Sequence, residues 1–312
     1  MKIKMKNNLN ISIIIICDQL RREKLLRLFL SLQSQLSLYD TEILLLHESN
    51  TPLEKPDFPE VPIVQTLLRY INIPEKQGIP FNRNKGIEFA QGNIIIFIDD
   101  DCWVQEKWLP ALVDPLLNDK TDKTDKKIMA VTGGTVIPSS NFFGDCVSAL
   151  GFPGGGSLGF AKVWKVSPEG MTTHLSVGNC AIRREVFQKV GLFDESMKSG
   201  AEDTEFSYRL EQAGIFIKYV PDSFAYHEAR TSWNSFIHWQ LRRGKANYQF
   251  KKKVGNIQPF VKLRFWSAKN ILRENAFNRK FPLVFGLLGA SVVLQQMGYF
   301  QEKWTERTNR SK

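Results

Sequence analysis

Three short apolar runs, Ile11 to Ile16, Ile43 to Leu46 and Ile94 to Ile98, limit what this chain can fold into more than any other feature. A strand with one wet face alternates polar and apolar residues; a strand covered on both faces has no need to. The runs are nearly unbroken in Ile and Leu, so they predict an α/β fold, a mainly parallel central sheet flanked by helices. Between the first two, Leu25, Phe29, Leu32 and Leu36 recur at helical spacing, which gives a strand, helix, strand unit. With 312 residues and 43% hydrophobic content, the chain can bury one large domain and an appendage.

Further along, a helix is expected from Asn82 to Ala90 with Gly92 as its stop, feeding the strand Ile94 to Ile98. Trp103 and Trp108 lead toward another helix carrying Leu109, Leu112 and Leu116. The repeat from Asp119 to Lys126 is too polar to pack and reads as a solvated loop before a strand from Met129 to Ile137. From Pro138 to Leu175 the pattern is irregular and rich in glycine and aromatics, as in a binding region built from loops. Val177 to Ile182 reads as a strand and Asp203 to Gln212 as a helix closed by Gly214. Phe216 to Val220 reads as a strand ended by Pro221, and the chain is helical and basic beyond Ser232.

The third apolar run ends in Asp99-Asp100-Asp101. Like charges at close range raise one another's pKa unless a cation relieves them, and a divalent metal supplies that relief. The carboxyl end of a strand in an open parallel sheet is also where ligands bind. Oxygen ligands of this kind suit Mg2+ or Mn2+ rather than zinc. Capping of the following segment would need only one aspartate.

In order along the chain come Ile11 to Ile16, Arg83-Asn84-Lys85-Gly86, the aspartate triplet, Gly178-Asn179, Phe193-Asp194-Glu195, Glu202-Asp203 and Tyr226-His227. This series resembles the family 2 glycosyltransferases of GT-A fold over about residues 11 to 230, and its order and spacing make the resemblance specific. The resemblance implies that Asp99 contacts the donor ribose and that Asp101 binds the metal bridging the diphosphate, with His227 completing the metal site. Arg83 and Asn84 then lie beside the nucleotide, Asn179 and Glu202 are further donor contacts, and Asp203 is the catalytic base. Asp100, at a position where the family tolerates many residues, is counted with the donor contacts. By chemistry alone, a carboxylate-held metal would stabilise a leaving diphosphate, and Asp203 at a helix start would take a hydroxyl proton in a direct, inverting displacement.

Two segments depart from the family pattern. Where it has paired aspartates after the second strand, this chain has His47-Glu48-Ser49; Glu48 can still accept a base N–H, and uridine is the default base. The opening strand runs into Cys17-Asp18-Gln19 without the glycine-rich loop that a sugar nucleotidyltransferase, one rival reading, would need. Gly154-Gly155-Gly156-Ser157-Leu158-Gly159 fits a dinucleotide fingerprint but lacks the preceding strand, so it reads as a flexible acceptor-side loop, with Phe152, Phe160 and Trp164 nearby to stack on a sugar or anchor the loop. His47, His174 and His238 receive no role.

With 42 Lys plus Arg against 32 Asp plus Glu, the net charge of +10 favours an anionic partner. Arg242, Arg243, Lys245, Lys251, Lys252 and Lys253 are interleaved with Trp233, Phe236, Trp239, Tyr248 and Phe250, the pattern of a basic helix lying on an anionic membrane. Leu283 to Leu294 is apolar over about a dozen residues, short of the roughly twenty a membrane span needs. No nucleic-acid recognition motif accompanies the charge. Expected partners are therefore a nucleotide-sugar donor, a glycan or lipid-linked acceptor and an anionic membrane surface. The second rival is a basic scaffold at the membrane with an inactive transferase fold. Cys17, Cys102, Cys146 and Cys180 lie far apart, and Lys2, Lys4 and Lys6 precede an apolar run too short for a signal peptide. Both observations favour the cytoplasm, at the inner face of the membrane. The expected division is a catalytic domain over residues 1–230 and a basic, aromatic-rich helical region over 231–312.

Overall fold

The computed structural model describes residues 11–51, 54–117 and 127–310. Lys2, Lys4 and Lys6 and the repeat from Asp119 to Lys126 lie outside the described residues or at their edge. In chain order the elements begin with β1 (Ile11–Cys17), α1 (Arg22–Leu36), β2 (Thr41–Glu48), α2 (Pro62–Leu67), β3 (Leu68–Ile73), α3 (Ile79–Phe89), β4 (Ile94–Ile98) and β5 (Cys102–Val104). They continue with α4 (Trp108–Leu117), β6 (Ala130–Val136), α5 (Phe142–Ser148), α6 (Phe160–Val163), β7 (Met171–Thr172), β8 (Asn179–Arg183), α7 (Arg184–Val190), α8 (Glu202–Gln212) and β9 (Ile217–His227). Three long helices end the chain: α9 (Trp233–Val254), α10 (Gln258–Asn275) and α11 (Phe281–Arg310).

The strands form one sheet in the order β3-β2-β1-β4-β8-β6-β9-β5, with β7 paired to β9. The first four are mutually parallel, and β8 then enters antiparallel to β4. Both faces are covered, which is why the apolar runs do not alternate. Ile13, Ile43 and Ile96 pack with Phe29, Leu32 and Trp108 from α1 and α4. Ile14, Leu44 and Ile95 face the opposite way, onto Ile87, Val186 and Phe206 of α3, α7 and α8. Each such side chain contributes about 1.5–3 kcal/mol by leaving water. Gly86 lets α3 settle on β1, because a Cβ there would press into the Ile14 side chain.

Several boundaries differ from the sequence-based expectation. The helix expected from Asn82 to Ala90 starts earlier, at Ile79, with Pro80 in its first turn, and is capped at Ala90 as expected. The final strand is not ended by Pro221. It continues to His227 through a bulge, pairing Val220 with Gly133 and Phe224 with Gly134, so the missing proline N–H falls outside the ladder. The segment after the aspartates forms the short strand β5 before the expected helix begins. The apolar stretch from Leu283 is not an isolated dozen residues but part of the 30-residue α11, one helix long and apolar enough to cross a membrane.

A third core joins the C-terminal helices to the sheet domain: Cys146, Val147 and Leu150 of the α5 region meet Phe236, Ile271, Val284 and Leu287. Helices α9 and α11 approach backbone to backbone. A Cβ at Gly244 would overlap the Gln295 carbonyl, and one at Gly298 the Leu241 carbonyl.

Candidate active site

The turn from β4 to β5 carries the three aspartates, and their side chains diverge. Asp99 lies over Gly178, where a Cβ would overlap its carboxylate, so that glycine is what admits the acid. Asp100 turns the other way and accepts two hydrogen bonds from Arg21, at 2.9 and 3.2 Å. Burial pushes its carboxyl up to about 6 although Arg21 works against the shift. Asp101 faces His227, which β9 delivers through the pairing of Cys102 with His227; Oδ1 lies 3.4 Å from Nε2.

Arg83 on α3 reaches across to Glu202, the first residue of α8, in a buried ion pair whose side chains are each 9% exposed. Burial alone would disfavour its charge, yet Glu202, Asp99 and Asp203 together hold the guanidinium above its usual range. Burial likewise raises Asp99, with Arg83 opposing. Arg83 thus joins the aspartate turn to the start of α8. The residue before that helix, Ala201, adopts a left-handed conformation with φ of 63°, a strained geometry for alanine directly beside two acids.

Arg83, Asp99, Gly178, Glu202, Asp203 and His227 line one cavity of about 300 Å³. Among the described residues no cluster of three His, Cys, Asp or Glu side chains surrounds a point. The pair Asp101 and His227 nevertheless fits a divalent ion. His227 Nδ1 lies 2.7 Å from the Glu228 carbonyl and must carry its proton toward that acceptor. In the neutral ring Nε2 then presents a lone pair to a carboxylate, an arrangement that a cation between them relieves. One carboxylate and one imidazole leave room for diphosphate oxygens and water, the usual way Mg2+ is shared between protein and nucleotide.

Not every expected site residue joins this cavity. Asn84 is committed to the protein: its amide donates to the Phe193 carbonyl and to Glu195, and its oxygen accepts the Phe193 N–H. Asn179 is fully buried, accepting from Trp108 Nε1 and donating to the Gly134 and Ser223 carbonyls, so it fastens β6, β9 and α4 together. Both act as internal fasteners of the fold. Glu48 accepts the N–H groups of Gln77 and Gly78, which orders the entry to α3, and Asp100 is taken by Arg21. None of these four lines the cavity.

The glycine-rich segment is not a flexible loop. Gly154 and Gly155 have φ of 52° and 113°, and Cβ atoms there would overlap Thr135 and the Phe160 backbone. The segment packs tightly, and Gly154 lines the cavity wall beside Phe152 and Trp164.

The basic residues of α9 also differ from expectation. Lys252 and Lys253 are paired with Glu306 and Asp194, Arg242 donates to the Ser199 carbonyl, and Phe236 and Phe250 are buried. Arg243 and Trp239 turn into the cavity, joined by Arg230 and by Arg264 of α10. His174, given no role from sequence, stacks on Trp164 at 3.3 Å between ring centroids, and burial pushes its pKa well down. Composition alone could not separate the arginines facing inward from the lysines facing out.

A mainly parallel sheet with an acidic turn at the carboxyl end of a central strand, closed by an antiparallel strand beside it, defines the GT-A class of glycosyltransferase folds. The chain belongs to Glycosyl transferase family 2, whose sequence model matches residues 12–191. N-acetylgalactosaminyltransferase 7 of Drosophila melanogaster is 28% identical over 180 residues, covering 53% of this chain and 29% of its own length. Glycosyltransferase AglE of Haloferax volcanii is 26% identical over 180 residues, covering 56% of this chain and 52% of its own. The chain thus spans about half or less of these curated relatives. Two solved structures share the fold. GalNAc-T7 with UDP, GalNAc and Mn2+ has a TM-score of 0.55 at 18% identity, covering 88% of this chain and 58% of its own. The mannosyltransferase PcManGT of Pyrobaculum calidifontis with GDP-Man and Mn2+ has a TM-score of 0.54 at 17% identity, covering 96% and 84%.

Proposed function

We propose that the chain transfers a sugar from a nucleoside diphosphate sugar, with uridine the expected base, to an acceptor hydroxyl with inversion, in the assembly of a polysaccharide or cell-surface glycan. The observation that carries this reading is the convergence of Asp99, His227 and Asp203 on one cavity, with Asp101 held against His227. Asp101 and His227 would hold Mn2+ or Mg2+, which stabilises charge on a leaving diphosphate when bound. Asp203 takes the acceptor proton as the acceptor oxygen bonds to the sugar C1 and the bond from C1 to the diphosphate breaks, the electron pair leaving with the diphosphate. Arg83 holds Glu202 in place through their ion pair and its charge opposes the rise that burial imposes on Asp99, which stands where the donor ribose would lie.

The same reading places the protein at the cytoplasmic face of a membrane. All four cysteines are free and buried, in keeping with a reducing compartment. Phe285, Val292, Val293, Met297, Phe300 and Trp304 are each half or more exposed, and their spacing puts them on one side of α11. An apolar stripe facing outward from a helix packed to the domain on its other side suits attachment to lipid.

Calorimetric titration of UDP, GDP and dTDP, with and without Mn2+, tests the donor site. UDP is expected to bind tenfold or more tightly with Mn2+, and Asp101→Ala to abolish that gain. Binding indifferent to both metal and substitution would reject the metal assignment. The anomeric configuration of the product, read by proton NMR, tests inversion.

A further inference from the structure

A second, larger cavity of about 600 Å³ opens beside the first, as a groove among α9, α10 and α11. Its size is within the roughly 300–1,000 Å³ of small-molecule sites. Phe250, Phe260, Leu263, Ile271 and Leu288 make its interior largely apolar, while Val261, Phe265 and Val292 at its lips are exposed. The groove and the Asp203 cavity are continuous, sharing Phe152, Trp164, Ala201, Thr204, Arg243 and Arg264 in their walls.

The junction between them concentrates positive charge that the protein does not neutralise. The Arg243 guanidinium lies 4.1 Å from the Phe152 ring centroid and 5.2 Å from that of Trp239. Arg264 lies 4.9 Å from the same Phe152 and 5.2 Å from Trp164. Neither takes part in a hydrogen bond or ion pair with the described residues. Arg264 is exposed and Arg243 half-buried, and both line the two cavities. Burial pushes Arg264 down to about 10 and Arg243 well down, Arg264 adding to the shift of Arg243, while Asp203 favours both charges.

Two neighbouring like charges without a carboxylate partner among the described residues suit an anion, as adjacent aspartates suit a cation. The donor diphosphate is not the best occupant. Arg230 lines the first cavity alone, whereas Arg243 and Arg264 line both and so reach toward the apolar groove. The anion they meet lies beyond the base, between it and an apolar groove that opens toward the exposed side of α11.

We propose that this groove is the acceptor site for a lipid phosphate: a hydrocarbon chain lies among α9, α10 and α11, its phosphate rests on Arg243 and Arg264, and the hydroxyl to be glycosylated reaches Asp203. The inference rests on Asp203 as the acceptor-side base and specifies the acceptor class for that site. The two planar guanidinia match phosphate oxygens, and their aromatic supports fix them before the ligand arrives.

The test is calorimetric titration of the full chain with farnesyl phosphate, farnesol and inorganic phosphate, with UDP and Mn2+ titrated in parallel. Farnesyl phosphate is expected to bind tenfold or more tightly than farnesol. Arg243→Gln and Arg264→Gln are each expected to lose tenfold or more of that affinity, with Arg264→Lys recovering part and UDP unaffected. Val261→Glu, on an exposed lip, is expected to repel the lipid phosphate without disturbing the fold, and it decides the matter if the arginine variants do not fold. Equal binding of farnesol, full competition by inorganic phosphate, or undiminished binding in Val261→Glu overturns the proposal. Loss of UDP rather than farnesyl phosphate in the arginine variants overturns it too, assigning the pair to the donor. A wild type that binds farnesyl phosphate but no nucleotide would reject the proposed transferase reading and leave the lipid site standing; the reverse would reject the lipid site alone.

Discussion

The carboxyl end of the sheet and the groove between the C-terminal helices both gather like charges, and they resolve them in opposite ways. At the sheet, Arg83 answers Glu202 and Asp99, Arg21 answers Asp100, and His227 faces Asp101. In the groove, Arg243 and Arg264 have aromatic faces beneath them and no carboxylate bound to either. A network that is internally balanced can be preorganised around the small charge changes of a reaction. One left unbalanced stores its affinity for a ligand that supplies the missing sign. The two regions meet at Asp203, which lines the first and acts electrostatically on the second.

The sharpest way to break this comparison is at that shared residue. Asp203→Asn is expected to lower turnover by about 10²–10⁴-fold, the usual worth of a positioned general base, while UDP binding persists. Undiminished turnover would remove Asp203 from the chemistry and leave the two regions without a common member. Next in size is Arg83→Met. It strands Glu202 and Asp99 in a buried site, and the expected cost is about 3–5 kcal/mol of folding stability, read from urea unfolding. Glu202→Gln in the same chain should return part of that loss. No recovery would mean that Arg83 holds the fold by packing rather than by charge.

Sequence pattern read the sheet well because burial on both faces leaves a one-dimensional trace: the runs at Ile11, Ile43 and Ile94 became three neighbouring parallel strands. The aspartate triplet was legible because three acids after such a strand have few places to go. Pattern is less decisive where one residue type serves two purposes. Asn84 and Asn179 stand in positions where a polar side chain suits either a ligand or a buried backbone group, and only the packing of Phe193, Gly134 and Ser223 decides. Arg243 is ambiguous for a similar reason. Its basic, aromatic-interleaved stretch reads as a helix lying on an anionic membrane, yet Arg243 itself turns inward onto Phe152, as does Arg264 from the next helix. The extent of α11 was missed because polar Gln295 and Gln296 break the apolar run without breaking the helix.

The groove side of the comparison is sharpened by asking how lipid would reach it. Phe300→Ser with Trp304→Ser removes two exposed aromatics from the α11 stripe. Sedimentation with phosphatidylglycerol vesicles is expected to fall by about tenfold or more, since each aromatic that enters the interface brings on the order of 1.5–3 kcal/mol when fully buried. UDP binding should stay as it was. Unchanged sedimentation would detach the groove from a membrane supply and make a water-soluble amphiphile its occupant.

The smallest expected effect is at the seam holding the helices to the sheet domain. Asp145 of α5 accepts the Ser140 N–H at 2.7 Å and pairs with Lys280, just before α11, at 3.2 Å. Burial alone would raise its pKa, but Ser140, Ser139 and Lys280 together hold the carboxyl below the ordinary range. A carboxyl lowered by folding stabilises the native state above its unfolded pKa, and that contribution is lost as pH falls through the folded value. Asp145→Asn is therefore expected to cost about 1 kcal/mol at pH 7, with the gap to wild type closing as the solution is taken below about pH 4. A gap that stays constant with pH would mean that the seam depends on the shape of the side chain and not on its charge. At this seam the apolar contacts of Phe236, Val284 and Leu287 would then carry the union of α5 with the helices, coupling them through packing that does not respond to proton concentration.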